Sequence, residues 1–116
     1  MSSLGVLDSL ILSFAYFSCN SYQYDVDETQ SFTNRRVFAY TDSGIPDGIQ
    51  LDTVGNVYSG CGDGIQVWCS KGTLIGKFFL NSTAAEMIFT KSGLLIFDDE
   101  RIYLANILAQ GIDLTA

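Results

Sequence analysis

The segment DGIQLDTVGNVYSGCGDGIQVW, residues 47–68, decides the fold class. Apolar side chains alternate with polar residues or glycine along three short runs, and the clusters DTVGN and CGDG separate these runs. Alternation with a period of two is typical of half-buried strands, and Asp, Asn and Gly tolerate the backbone conformations of tight hairpin turns. The segment therefore predicts three antiparallel strands that are joined by hairpins.

The same kind of pattern continues on both sides of this segment. From residue 22 onward the sequence contains alternating runs at 22–26, 36–40, 48–52, 56–60, 65–69, 74–79, 86–90, 94–98 and 102–106. No segment has the 3.6-residue apolar stripe of an amphipathic helix. The chain is therefore predicted to be all-β.

The strands also repeat along the chain. Residues 85–104, AEMIFTKSGLLIFDDERIYL, carry the apolar and glycine pattern of residues 47–68 at a spacing of 38 positions, which pairs Ile49 with Met87, Leu51 with Phe89, Gly55 with Gly93 and Val57 with Leu95. A one-residue slip in the second turn then aligns Ile65 with Ile102 and Val67 with Leu104. A period near 40 residues with four short strands per unit is typical of a β-propeller blade. We predict a partial β-propeller of about two to three four-stranded blades.

Composition limits the functions that the chain can have. Six basic and 13 acidic residues give a net charge of −7, which repels the phosphate backbone and argues against nucleic acid as a partner. The absence of histidine excludes Ser-His-Asp and Cys-His catalysis and zinc sites built on imidazole. The three cysteines, Cys19, Cys61 and Cys69, lack the spacing of a zinc cluster; Cys61 and Cys69 flank a predicted hairpin, where they form either a cross-hairpin disulfide or two buried thiols.

Residues 1–21 differ from the rest of the chain, and we expect an apolar N-terminal segment here, followed by the blades at 22–116. The apolar stretch at 4–17, LGVLDSLILSFAYF, is shorter than the roughly 20 residues of a transmembrane span, so no transmembrane segment is expected. A secretory signal would need a basic region, and no Lys or Arg precedes Arg35. The alternatives are a signal, a buried strand, or the remnant of an element that begins upstream.

Residues 33–80 resemble the gluconolactonase / regucalcin (senescence marker protein) family, and its fungal lactonohydrolase members in particular. The motifs NRRVF, PDGIQLD, GNVY and GTLIGK follow in the order of that family, and a weaker match continues over 84–107. The resemblance covers about residues 22–108 and implies a six-bladed propeller with one divalent metal ion, commonly calcium, at the mouth of the central channel. Because fewer than three blades of roughly 40 residues fit into the chain, it resembles a C-terminal fragment of such a protein.

The resemblance implies one site residue, Asp47, as both the catalytic and the metal-binding residue. In the family, the aspartate of the Pro-Asp-Gly motif binds the metal ion and orients or activates water. A hard dication prefers oxygen ligands, polarises a lactone carbonyl and lowers the pKa of bound water, so the implied function is metal-dependent hydrolysis of a small-molecule lactone, a cyclic ester. From the residues alone, Pro-Asp-Gly is more often an ordinary turn that carries a solvated carboxylate.

The resemblance also implies that the site is incomplete. The other ligands of the family, a glutamate and an asparagine, lie in blades upstream of this motif, and one carboxylate cannot supply the about six to eight oxygens that calcium takes. We therefore expect no calcium-dependent lactone hydrolysis by the isolated chain, and we expect self-association through its exposed blade faces. The alternative function is a non-enzymatic propeller, either an inactive remnant or a binding module like the NHL-repeat proteins.

The remaining acidic, basic and aromatic residues of interest are predicted to have structural roles. The acidic run at 25–30 lacks the glycine and the final glutamate of an EF-hand loop, and the DDE run at 98–100 is expected to form a solvated turn. Glu86 is interpreted as a strand-edge carboxylate near the channel. For the adjacent Arg35 and Arg36 the expectation is a surface pair or an inter-blade salt bridge, and for Trp68 and the Phe78–Phe79 pair it is packing between blades.

Overall fold

The computed structural model describes residues 9–13, 20–44 and 46–112, and in these ranges the chain contains strands and no helix. The strands are β1 (Ser9–Ser13), β2 (Asn20–Val26), β3 (Phe32–Tyr40), β4 (Ile49–Leu51), β5 (Val57–Cys61), β6 (Gly64–Trp68), β7 (Leu74–Phe79), β8 (Ala84–Thr90), β9 (Gly93–Asp98) and β10 (Ile102–Ala105). Each of the nine predicted runs overlaps one of β2 to β10. The all-β prediction is confirmed.

The strands form three antiparallel sheets that follow one another along the chain. The first sheet has the order β1-β2-β3, the second β4-β5-β6-β7 and the third β8-β9-β10. β1 lies within residues 1–21, the predicted apolar N-terminal segment, and its backbone pairs with β2. The remainder of that segment, residues 1–8 and 14–19, lies outside the described residues.

Four strands per blade were predicted, and within the described residues only the second sheet has four. After β10, residues 106–112 do not add an outer strand to the third sheet. They cross to the second sheet, where Gly111 forms a β-bridge with Asp52 and the Thr53 amide donates to Gln110 O at 2.8 Å. The backbone of residues 110–111 is therefore attached to the turn between β4 and β5.

The middle strands of the second sheet, β5 and β6, are buried on both faces because a sheet packs against each of them. All five residues of β5 are buried. On one face, Val57, Cys61 and Trp68 pack against Phe38 and Ala39 of the first sheet. Trp68 therefore lies between two sheets, as the sequence predicted.

The other face of the second sheet packs against the third sheet. Tyr58, Ile65 and Val67 form one cluster with buried residues of β8 and β9, which are Ala84, Met87, Leu94 and Ile96. Phe78 is partly buried against this cluster, whereas Phe79 is 68% exposed. The prediction that both phenylalanines pack between blades is therefore wrong for Phe79, because adjacent residues of a strand point to opposite faces of a sheet.

The strand register confirms the internal repeat and corrects the position of its slip. Val57 pairs with Trp68 across the second sheet, and Leu94 pairs with Ala105 across the third, so Val57 corresponds to Leu94 and not to Leu95. The spacing thus changes from 38 to 37 in the first hairpin of the unit and not in the second turn. The cause is the shorter β8–β9 hairpin, in which β8 runs to Thr90 and β9 begins only three residues later.

Among the described residues, no helix has the length and apolar character needed to cross a membrane.

Candidate functional site

The connection between the first and second sheets brings Asp47 to the start of β4. The Gly62 amide donates to Ser43 O at 2.8 Å, which attaches this connection to the hairpin between β5 and β6. Pro46 is fully buried, and the side chain that follows it, Asp47, is exposed. A buried proline with a fixed φ thus precedes an accessible carboxylate.

Backbone hydrogen bonds hold the Asp47 segment from two sheets. The Asp47 amide donates to Gly60 O at 2.8 Å, and the Gly60 amide donates to Gly48 O at 3.1 Å, which continues the β4–β5 pairing. The Gly48 amide donates to Ala85 O of β8 at 3.1 Å. The peptide that carries Asp47 is therefore fixed by its own sheet and by the neighbouring sheet.

Glu86 is the second acidic side chain at this junction. It lies on β8, is exposed, and accepts a hydrogen bond from the Met87 amide at its Oε1 (2.9 Å). Its carboxylate lies against Gly48: a Cβ atom placed on that glycine would be 2.3 Å from Glu86 Oε1. The structure thus places Glu86 beside the residue that follows Asp47, although 39 positions separate the two acids in sequence.

The described residues do not fit a calcium ion by themselves. Calcium takes about six to eight oxygen ligands. Within residues 9–13, 20–44 and 46–112, no group of three or more His, Cys, Asp or Glu side chains is arranged to hold a metal ion. Asp47 and Glu86 together offer two carboxylates, which is too few.

A polar cluster that the sequence did not predict lies beside the same connection. Lys77 Nζ is 2.7 Å from Asp42 Oδ1 and 3.1 Å from Asp63 Oδ2, and the buried Gln66 donates its Nε2 to Asp42 at 2.8 Å. The hydrogen bond from Lys77 is the main cause that lowers the pKa of Asp42, and the same bond raises the pKa of Lys77. This cluster connects the segment before Asp47 to β6 and β7.

Asp52 is the buried carboxylate of the chain's DTVGN turn. Its Oδ1 accepts hydrogen bonds from the amides of Val54 (3.0 Å) and Asn56 (2.9 Å), and its Oδ2 accepts one from the Tyr58 hydroxyl (2.9 Å). Burial raises the pKa of Asp52, but the hydrogen bonds from Asn56, Tyr58 and Val54 outweigh it and hold the pKa below its usual value. Burial and the bond to Asp52 raise the pKa of Tyr58. Asp52 organises the β4–β5 turn and is not accessible to a ligand.

The DDE run at 98–100 forms a turn, as predicted, and the acidic run at 25–30 ends in a turn as well. Asp27 accepts hydrogen bonds from the amides of Thr29 and Ser31 in the turn between β2 and β3. Asp98 accepts from the amides of Glu100 and Arg101 in the turn between β9 and β10. This second turn and residues 80–83 border an open cleft of about 440 Å³.

The arginine pair lies on β3, and the ion pair and ring contact described for it are with residues of the first sheet. Arg36 forms an ion pair with Asp25 at 3.0 Å, and both side chains are partly exposed. The Arg35 guanidinium lies 4.4 Å above the centre of the Tyr22 ring. The contacts that the structure describes for these arginines therefore match the surface alternative and not the inter-blade salt bridge.

Cys61 and Cys69 are free thiols and are not joined by a disulfide. Cys61 is buried, and burial raises the pKa of its thiol to about 12. Cys69 is half-buried in the turn before β7, where backbone hydrogen bonds from Lys71 and Thr73 lower its pKa. Cys19 lies outside the described residues.

Comparison with known proteins identifies relatives that this chain matches over only part of their length. No family model matches the sequence. The chain is 33% identical over 85 residues to the lactonohydrolase oryH of Aspergillus oryzae, and the match covers 70% of this chain and 18% of that protein. The chain therefore spans less than a fifth of this curated relative.

Solved structures also resemble this chain in fold, each over part of its own length. A gluconolactonase from Xanthomonas campestris is 28% identical with a TM-score of 0.72, over 78% of this chain and 31% of that one. A protein assigned as a gluconolactonase superposes with a TM-score of 0.84 at 18% identity, over 90% of this chain and 37% of that one. A luciferin-regenerating enzyme superposes with a TM-score of 0.68 at 20% identity, over 90% of this chain and 39% of that one.

The three sheets thus have the arrangement of successive blades in a gluconolactonase-type propeller, and they account for about a third of the propeller chains compared. The match to the lactonohydrolase is a match in sequence. By sequence and by fold, this chain is similar to lactonohydrolases and gluconolactonases, and it spans only part of their length.

Proposed function

We propose that this chain is part of a lactone hydrolase of the gluconolactonase kind, in which Asp47 is the functional carboxylate. The observation that carries the proposal is the placement of Asp47: an exposed acid, preceded by a buried proline and held by backbone hydrogen bonds from two adjacent sheets. Sequence similarity to a lactonohydrolase supports the reaction class. Rigid placement on strand ends is what a reacting carboxylate needs.

The role of Asp47 follows from the chemistry of ring opening. Its carboxylate accepts a proton from a water molecule while the water oxygen attacks the lactone carbonyl carbon. The ring C–O bond then breaks, and the leaving oxygen takes the proton back from Asp47. One water is consumed, and the product is an open-chain hydroxy acid. No histidine is needed for these steps.

We further propose a divalent metal ion, calcium in the first place, as the cofactor of the complete protein, with Asp47 as one of its ligands. Among the described residues, no group of three or more acidic side chains is arranged to hold it. The other ligands would therefore come from residues outside those described.

A chimera tests this function. The matching 85-residue segment of the Aspergillus oryzae lactonohydrolase is replaced by the corresponding residues of this chain. We expect calcium-dependent hydrolysis of gluconolactone above the spontaneous rate, and we expect Asp47→Asn to reduce the rate by about 10²-fold or more without loss of folding. Asp99→Asn is the matched control, because Asp99 is an exposed carboxylate on a hairpin of the third sheet. A near-normal rate for Asp47→Asn would show that the assignment of Asp47 is wrong.

The isolated chain provides a separate test of incompleteness. We expect residues 1–116 alone to show no calcium-dependent lactone hydrolysis, because no group of three or more acidic side chains among the described residues is arranged to hold the metal ion. Turnover of gluconolactone by the isolated chain, abolished by Asp47→Asn, would contradict this expectation.

A further inference from the structure

Gly60 lies where backbone from two sheets meets beside Asp47. In its own sheet it exchanges two hydrogen bonds with the Asp47 segment: its carbonyl accepts from the Asp47 amide (2.8 Å), and its amide donates to Gly48 O (3.1 Å). On its other side it faces the backbone of Ala84 in the third sheet. Gly60 is therefore in contact both with the segment that carries Asp47 and with the neighbouring sheet.

This contact leaves no room for a side chain. A Cβ atom added to Gly60 would lie 2.2 Å from Ala84 O and 3.0 Å from the Ala84 carbonyl carbon. Both atoms belong to backbone, which cannot turn aside as the end of a flexible side chain can. A side chain here must push β8 away from β5. Because Ala85 O accepts the Gly48 amide, this movement also affects the segment that carries Asp47.

We propose that Gly60 is a positioning residue for Asp47. Its missing side chain lets β8 approach closely enough for Ala85 to bind the Gly48 amide, so the third sheet helps to hold the Asp47 peptide. The inference rests on the proposed function for the importance of Asp47, but the backbone coupling is measurable without any activity.

Gly48 supplies a contrast within the same junction. The atoms nearest to a Cβ on Gly48 are the carboxylate atoms of Glu86, the end of a flexible and exposed side chain. Alanine at this position would displace Glu86 and leave the backbone in place. Gly60→Ala and Gly48→Ala should therefore differ in their effect on the Asp47 amide, although both add one methyl group.

Hydrogen exchange followed by NMR tests the proposal on the full chain. In Gly60→Ala we expect the exchange rate of the Asp47 amide to increase. The factor of this increase should be at least ten times the factor measured for amides in the β2–β3 ladder. In Gly48→Ala the Asp47 amide should keep its protection. Gly76→Ala is the matched control, because no atom lies within 4 Å of a Cβ added to Gly76, and it should change neither region.

A uniform rise in exchange across all sheets in Gly60→Ala would indicate a general loss of stability and would overturn the proposal. If Gly60→Ala does not fold, native-state hydrogen exchange of the unchanged chain in low denaturant tests the proposal instead. The amides of Asp47, Gly48 and Gly60 should then open with one common free energy. Unequal opening free energies for these three amides would overturn the proposal, whereas failure of the lactonase tests alone would leave the coupling intact.

Discussion

At the scale of single residues, the position of a carboxylate in the fold decides what it can do. Asp47 and Asp52 are five residues apart, yet one is exposed at the start of β4 and the other is 1% exposed in the turn after it. Asp52 is saturated with hydrogen bonds from its own turn and from Tyr58. Asp47 keeps an accessible side chain while its backbone is fixed. The hydrogen-bonded arrangement of Asp52 stabilises a turn, whereas the fixed backbone and exposed side chain of Asp47 suit a reacting group.

Asp52→Asn should make stability less dependent on pH. The folded-state pKa of Asp52 is lowered, so its stabilising effect is present above the unfolded pKa, near 4, and is lost as pH falls through the folded pKa. At pH 7 the variant should lose about 1–3 kcal/mol of unfolding free energy, because an amide cannot accept all of these hydrogen bonds.

Urea unfolding at several pH values between 7 and 3, followed by circular dichroism, measures this difference. The gap between the unchanged chain and Asp52→Asn should narrow as pH falls. Asp99→Asn is a control at an exposed position. A gap that stays constant over the whole range would contradict the role given to the ionised Asp52.

At the scale of elements, polar contacts attach the segment that precedes Asp47 to the second sheet. Lys77 on β7 joins Asp42, which precedes β4, to Asp63 in the β5–β6 hairpin. The sequence predicted β7 itself, because alternation within a strand is a local signal. It could not predict this cluster, since 35 positions separate Lys77 from Asp42.

Lys77→Met should weaken this connection while keeping most of the apolar stem. We expect a small loss of unfolding free energy, as is typical of partly exposed ion pairs, and a still smaller loss in 1 M salt because of screening. The measurement is urea unfolding at low and high salt, with Lys71→Met, an exposed lysine in the turn before β7, as the control. Equal behaviour of the two variants would show that the Lys77 cluster contributes nothing.

At the scale of the whole molecule, the outward face of the third sheet is open in the described structure. Ile102 and Leu104 are 66% and 51% exposed, whereas Ile65 and Val67, the residues at the same positions of the second sheet, are buried by the neighbouring sheet. The repeat therefore indicates that a further sheet fits here. In the isolated chain we propose that this apolar face drives self-association.

Leu104→Lys should reduce that association. We expect the unchanged chain to elute above its 12.7 kDa monomer mass in size-exclusion chromatography with light scattering, and Leu104→Lys to shift towards the monomer. Val54→Lys is the control, because Val54 is 80% exposed in the β4–β5 turn, away from this face. A monomer at all concentrations, or an equal shift in both variants, would contradict the prediction.

The sequence by itself determined the positions of β2 to β10, the hairpin turns and the repeat, and its resemblance to a known family indicated Asp47 as the site residue to test. All of these follow from alternation, turn residues and short motifs, which are signals carried by neighbouring residues. Only the tertiary structure decided that the repeat slips in the β8–β9 hairpin, that the last residues join the second sheet, and that Gly60 and Glu86 lie beside Asp47. These features depend on how sheets distant in sequence approach one another, and packing between sheets is set by shape and backbone contacts that no local pattern encodes.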